Sequence, residues 1–192
     1  MNFPARTPIK PFPFPSFQII SLTRRYPCYD AYVVSSVPFG VYQSPAETCV
    51  RSCLTALKAG YRHIDTAQYY ANEEQVGEAI KQSNIPRSEL YITSKILSPG
   101  NDVEASYSKI VESVRKIDGE DGYVDLFLIH SPNGGKEARK DMWLALEKAK
   151  SAGKVREIGV SNYGKGHIEE IKSFGKVFPP AVNQIEVSSL PS

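Results

Sequence analysis

Cysteine is scarce in this chain: Cys28, Cys49 and Cys53 are all there is in 192 residues. An odd number at spacings that match no metal-ligand pattern argues against a disulfide framework and against a cysteine-based metal site. Cys49 and Cys53 stand one helical turn apart, where a bridge is geometrically awkward, so free thiols in a reducing cytoplasm are expected. An excess of one charge is lacking too. Lys and Arg total 23 against 21 Asp and Glu, a net +2, and no basic stripe interleaved with aromatics occurs, so neither nucleic acid nor an anionic membrane is an expected partner. No apolar run is long enough to span a bilayer. Pro4, Pro8, Pro11, Pro13 and Pro15 break any apolar helix near the start, which argues against a secretory signal. No Asn-x-Ser/Thr sequon occurs. Neither Gly-x-Gly-x-x-Gly nor Gly-x-x-x-x-Gly-Lys follows a predicted strand, which counts against dinucleotide-binding and P-loop sheets.

What is present is an ordinary globular composition, 41% hydrophobic, with length enough for one domain and a sizeable core. From Gln43 onward strand and helix patterns alternate. Ser44-Pro45-Ala46-Glu47 reads as a helix start with a serine cap, and Gly60 as its stop. Tyr61 to Asp65 reads as a strand, and Asn72 as the cap of a helix opened by Glu73 and Glu74. Leu90 to Lys95 is a further strand. Val103, Tyr107, Ile110, Val114 and Ile117 recur at helical spacing. Val124 to His130 is almost continuously apolar, as in a strand buried on both faces of a parallel sheet. Met142, Trp143, Leu146 and Ala149 line a helix, with Trp143 read as packing. Val155 to Val160 and Ala181 to Val187 are the last strands. With a first strand near Val37 to Tyr42, the count is six, and alternating βα units imply a parallel sheet with right-handed crossovers.

Polar residues gather where these strands end. Asp65, Lys95, His130, Ser161-Asn162 and Asn183-Gln184 all sit at or just past a predicted C-terminal strand end, and Tyr70 lies in the turn after Asp65. In a parallel barrel those ends form one face, and that face holds the active site. Taken singly, Asp65 reads as a turn carboxylate, Tyr70 as a packed aromatic, His130 and His63 as core histidines, His167 as an exposed loop residue, and Ser161-Asn162 as a helix cap. Lys95 leans functional even alone, because burying a lysine is costly unless it is paired. Together they make a proton-donor assembly. A tyrosine hydroxyl, with a reference pKa near ~10, is too weak an acid at neutral pH. A neighbouring ammonium favours the phenolate, a carboxylate holds that ammonium, and an imidazole orients the substrate oxygen. Tyr70 as acid, Lys95 as tuner, Asp65 as holder and His130 as orienter suit protonation of a carbonyl oxygen during hydride transfer.

The same residues stand in five motifs: His63-Ile64-Asp65-Thr66-Ala67-Gln68-Tyr69-Tyr70-Ala71-Asn72-Glu73, Ile92-Thr93-Ser94-Lys95, Val124-Asp125-Leu126-Phe127-Leu128-Ile129-His130-Ser131-Pro132, Gly153-Lys154-Val155-Arg156-Glu157-Ile158-Gly159-Val160-Ser161-Asn162-Tyr163 and Asn183-Gln184-Ile185-Glu186. In this order and spacing the chain resembles the aldo-keto reductases from about Gly40 to Glu186. The resemblance implies an α/β fold of the (β/α)8 TIM-barrel type and reduction of a small-molecule aldehyde or ketone with NADP(H). It implies Asp65, Tyr70, Lys95 and His130 as the catalytic tetrad, and Ser161, Asn162 and Gln184 as holders of the nicotinamide carboxamide.

A barrel of this type takes roughly 250 residues and eight strands. The expectation is therefore an incomplete barrel of about six of eight βα units over residues 37–192, C-terminally truncated, behind an irregular segment over residues 1–36. The strands that would carry the phosphate site are absent from the sequence. Two open sheet edges follow, and with them self-association. The alternative function is a catalytically inactive truncated product or an interaction remnant that lacks the cofactor phosphate site.

Overall fold

A computed structural model describes residues 17–21 and 37–186. Cys28, the early prolines and the end of the last predicted strand at Val187 lie outside the described residues. The strands form one sheet in the order β1-β7-β6-β5-β4-β3-β2. They are β1 (Phe17–Ser21), β2 (Phe39–Gly40), β3 (His63–Asp65), β4 (Tyr91–Ile96), β5 (Val124–Ile129), β6 (Val155–Ser161) and β7 (Val182–Glu186). β2 to β7 are the six expected parallel strands, curled into an incomplete barrel with helices between them.

One strand departs from expectation. Residues 17–21, inside the stretch read as irregular, form β1 and pair antiparallel with β7, Phe17 opposite Glu186 and Ser21 opposite Val182. Phe-Gln-Ile-Ile-Ser has strand propensity, but its partner lies at the far end of the chain and prolines flank it. Local pattern could not supply the pairing.

The helices follow the apolar periodicity. In α1 (Ala46–Lys58) the cap position is Pro45, not Ser44, and carries no side-chain cap bond. The Ser44 N–H instead closes a turn onto the Val41 carbonyl at 3.1 Å. Beyond α1, Gly60 takes φ +101, the left-handed region open to a residue without Cβ, and so turns the chain into β3. α2 (Glu73–Ser83) buries Val76, Ala79 and Ile80. α3 (Val103–Asp118) buries Ile110, Val114 and Ile117, and Asp102 caps it by accepting from the Ala105 N–H at 2.7 Å, a bond worth about 1 kcal/mol.

α4 (Gly135–Ser151) buries Met142, Trp143, Leu146 and Ala149. Trp143 is a packing residue, its Nε1 donating to Glu147 Oε1 at 3.1 Å. His167 sits on α5 (Lys165–Ile171), half-buried, its ring edge-on to Tyr163, and not on an exposed loop. β5 is buried at every position, as a strand covered on both faces must be. Truncating a buried Ile such as Ile110 to alanine would cost on the order of 2–5 kcal/mol. Among the described residues no helix is long and apolar enough to cross a membrane.

Candidate active site

Parallel pairing puts the C-terminal ends of β3 to β7 on one rim. Asp65 ends β3 and Ser161 ends β6, Lys95 lies near the end of β4, His130 directly follows β5, and Gln184 lies opposite Ser161 on β7. Tyr70 closes a 3-10 turn, Gln68–Tyr70, immediately after β3, with its N–H donating to the Ala67 carbonyl at 2.9 Å. Ala71 then takes a left-handed φ of 53, which swings the chain into α2.

Lys95 and Asp65 are each 1% exposed and form a buried ion pair, Nζ donating to Oδ1. Lys95 Nζ also donates to the Thr66 carbonyl at 3.2 Å and to Tyr70 Oη at 3.3 Å. The second oxygen of Asp65 accepts from Gln184 Nε2 at 2.8 Å. Each carboxylate oxygen therefore has a donor, as a buried charge requires. Because a carboxylate can only accept, Gln184 must turn its amide nitrogen to Asp65. Its Oε1 is left buried without a hydrogen-bond partner among the described residues.

Lys95, Tyr70, His130, Ser161, Asn162 and Gln184 line one recess of about 180 Å³, together with Tyr42 and Tyr69. Asp65 lies behind Lys95. Six of the seven residues expected from sequence thus face one space, and the seventh, Asp65, holds two of the six, Lys95 and Gln184. The His130 ring stands edge-on to Tyr69 and Tyr70, with centroids 6.0 and 5.7 Å away. Burial, reinforced by the charge of Lys95 and opposed by Asp65, pulls its pKa down to about 4. The imidazole is therefore neutral at neutral pH, with one N–H to donate. Ser161 Oγ donates to the Gln184 carbonyl at 3.1 Å, and Asn162, at φ 59, donates its N–H to the same carbonyl at 2.9 Å. Ser161 and Asn162 do not cap α5, whose cap position is Gly164.

Several polar residues around this rim were misread or passed over in the sequence. Asn72 stands at the cap position of α2 but makes no cap bond. Its Oδ1 accepts from Thr66 Oγ1 at 2.7 Å and its Nδ2 donates to the Val41 carbonyl at 2.9 Å. It thereby ties the β2 loop, which carries Tyr42, to the β3 loop. Glu73 opens α2 as expected, but it is only 6% exposed and accepts from Ser94 Oγ at 2.6 Å. Gln68 was overlooked as one polar residue among several in a turn. The signal for both was position, since they flank Tyr70. His63 is a packed strand residue as expected, its Nε2 2.9 Å from Thr93 Oγ1. A larger cleft, about 390 Å³, opens on the far side of the Tyr70 turn, between α2 and α3, away from the rim.

The likenesses to known proteins bear on the family and the fold. The model of the Aldo/keto reductase family matches residues 39–192. An uncharacterised oxidoreductase of Schizosaccharomyces pombe is 38% identical over 159 residues, 81% of this chain and 55% of its own length. The glyoxal reductase of Bacillus subtilis is 44% identical over 135 residues, 70% of this chain and 47% of its own. The crystal structure of an aldo/keto reductase from Brucella melitensis superposes with a TM-score of 0.71 at 40% identity, over 78% of this chain and 57% of that one. The chain spans about half the length of the curated relatives it matches. A buried Asp–Lys pair aimed at a tyrosine on the rim of a parallel barrel, and a family match over most of the sequence, make this chain a member of the aldo/keto reductase family.

Proposed function

We propose that this chain carries the chemical half of a carbonyl reductase site, with Tyr70 as the proton donor to an aldehyde or ketone oxygen. The observation that carries the reading is the relay Gln184–Asp65–Lys95–Tyr70, buried at one end and open to the recess at the other. Lys95, at 3.3 Å from Tyr70 Oη, stabilises the phenolate left behind when the proton moves to the substrate oxygen. Asp65, itself held by Gln184, fixes Lys95 in place. Neutral His130 donates a hydrogen bond to the same substrate oxygen and fixes which way the carbonyl faces. The recess of about 180 Å³ suits the reacting end of a small carbonyl compound and not a bulky ligand.

Bound NADP(H), the cofactor we assign from family membership, supplies hydride to the carbonyl carbon. The residues present fit its nicotinamide end. The unpaired Gln184 Oε1 is an acceptor for a carboxamide NH₂, and Ser161 and Asn162 stand beside it. A reducing, cytoplasmic setting suits the free, buried thiols of Cys49 and Cys53.

NADPH oxidation with a panel of small aldehydes and ketones tests the assignment. Tyr70→Phe is expected to lower kcat by about 10²–10⁴-fold, the range of general acid catalysis, with cofactor quenching retained. Turnover that survives Tyr70→Phe removes the acid from Tyr70. Absence of NADPH quenching even at millimolar cofactor supports the alternative reading, a chain without catalysis.

A further inference from the structure

Two hydrogen-bonded bridges join the Tyr70 turn to the Lys95 strand, one on each side of the Tyr70–Lys95 contact. On one side Gln68, two residues before Tyr70, accepts through Oε1 from the Leu97 N–H at 3.2 Å, two residues after Lys95. On the other side Glu73, three residues after Tyr70, accepts from Ser94 Oγ at 2.6 Å, one residue before Lys95. The bridges come together beside α3. Gln68 Nε2 donates to Ser113 Oγ at 2.9 Å and to the Lys109 carbonyl at 3.2 Å, and Ser113 lines the same cleft as Glu73. Ser94 is fully buried, and Ser113 and Glu73 nearly so.

We propose that Gln68, Glu73, Ser94 and Ser113 are positioning residues that set the Tyr70–Lys95 distance. None of them touches the recess. They act through the two segments that carry the acid and its tuner. The physical case is geometric. A turn and a strand tied at a single point can pivot; tied on both sides of the working contact, they cannot. The two ties also have different donors and acceptors, so one outlasts loss of the other. Burial pushes the Glu73 carboxyl above its usual range, against the pull of the Ser94 and Ser113 hydroxyls and Lys116, with Glu112 adding to the rise. With Glu73 only 6% exposed, its bond from Ser94 is charge-assisted and little exchanged for bonds to water. The bridges rest on the reductase reading for the purpose of Tyr70, but their effect on Tyr70 can be measured without turnover.

The test uses the full chain carrying ring-labelled ¹³C tyrosine, titrated by NMR. The Tyr70 resonance is the one that Tyr70→Phe removes. Ser94→Ala combined with Gln68→Ala is expected to move the Tyr70 ionisation midpoint upward, because a loosened Lys95 favours phenolate less. In turnover the same double variant is expected to lose about ten-fold or more in kcat with KM nearly unchanged, as misplacement of a reacting group does. Glu73→Gln keeps an acceptor oxygen for Ser94 and is expected to hold the Tyr70 midpoint close to that of the parent. A double variant with a native-like spectrum and an unmoved Tyr70 midpoint overturns the proposal. Should the double variant not fold, Ser94→Ala and Gln68→Ala taken singly still decide it by the same Tyr70 midpoint. A parent chain without turnover counts against the reductase reading alone, since the titration remains readable.

Discussion

At the scale of single residues, burial decides the protonation states. His63 is 1% exposed, and burial pulls its pKa from 6.5 to about 4, with Asp65 opposing and Lys95 adding. Its ring also packs edge-on to Tyr91. The folded chain therefore leaves His63 neutral down to about pH 4, while the unfolded chain binds a proton near 6.5. Stability from this group is full above the unfolded value and is lost as pH falls through the window between the two, by about 3 kcal/mol. Urea unfolding followed from neutral pH to pH 4 should show this fall, and His63→Gln should make it shallower, with the share of His130 left. An identical slope in the variant would remove His63 as the cause. Residues that meet at the recess were legible in sequence because parallel strands deliver their ends to one rim regardless of side-chain detail. Asp65, Tyr70, Lys95 and His130 needed only that rule. Asn72 and Glu73 were not legible in the same way. Both obey helix-start preferences, yet each spends its side chain on a partner tens of residues away in sequence, Val41 and Ser94, which no local rule contains.

Among elements, α2 and α3 approach closely at Gly77. A Cβ on Gly77 would stand 2.4 Å from the Lys116 carbonyl oxygen and 2.8 Å from that of Ile117. Backbone atoms cannot step aside cheaply, so Gly77→Ala forces the helices apart. Glu73 and Ser113 sit on those two helices. The substitution is expected to destabilise by about 1–3 kcal/mol, the usual range for overpacking, and to lower turnover beyond what its stability loss explains. Melting curves beside kcat at a temperature where the variant is fully folded would separate the two effects; unchanged kcat there would show that the helix spacing does not reach Tyr70. Helix identity was readable from periodicity, as Ile110, Val114 and Ile117 show. Helix starts were read less well. Pro45 holds the cap position expected of Ser44, because a proline with extended backbone can enter a helix without a capping side chain when its neighbours close the turn.

For the whole molecule, the sheet curls but does not close. β1 stands at one end and β2 at the other, and β2 is only Phe39–Gly40. Such ends offer backbone donors and acceptors to another chain, more so at the five-residue β1 than at the two-residue β2. Light scattering behind size exclusion, run from micromolar upward, is expected to show association that grows with concentration. A single monomer mass throughout would count against edge pairing. The parallel order of β2 to β7 follows the order of the chain, so each unit can dock on the one made just before it, and folding can proceed as growth along a single front. β1 breaks that rule. Among the described strands it comes earliest in the chain, yet it pairs with the latest of them, Phe17 against Glu186. As the chain leaves the ribosome, β1 must wait unpaired until β7 emerges. Its arrival on β7, beside Gln184, then follows the docking of the strands between them.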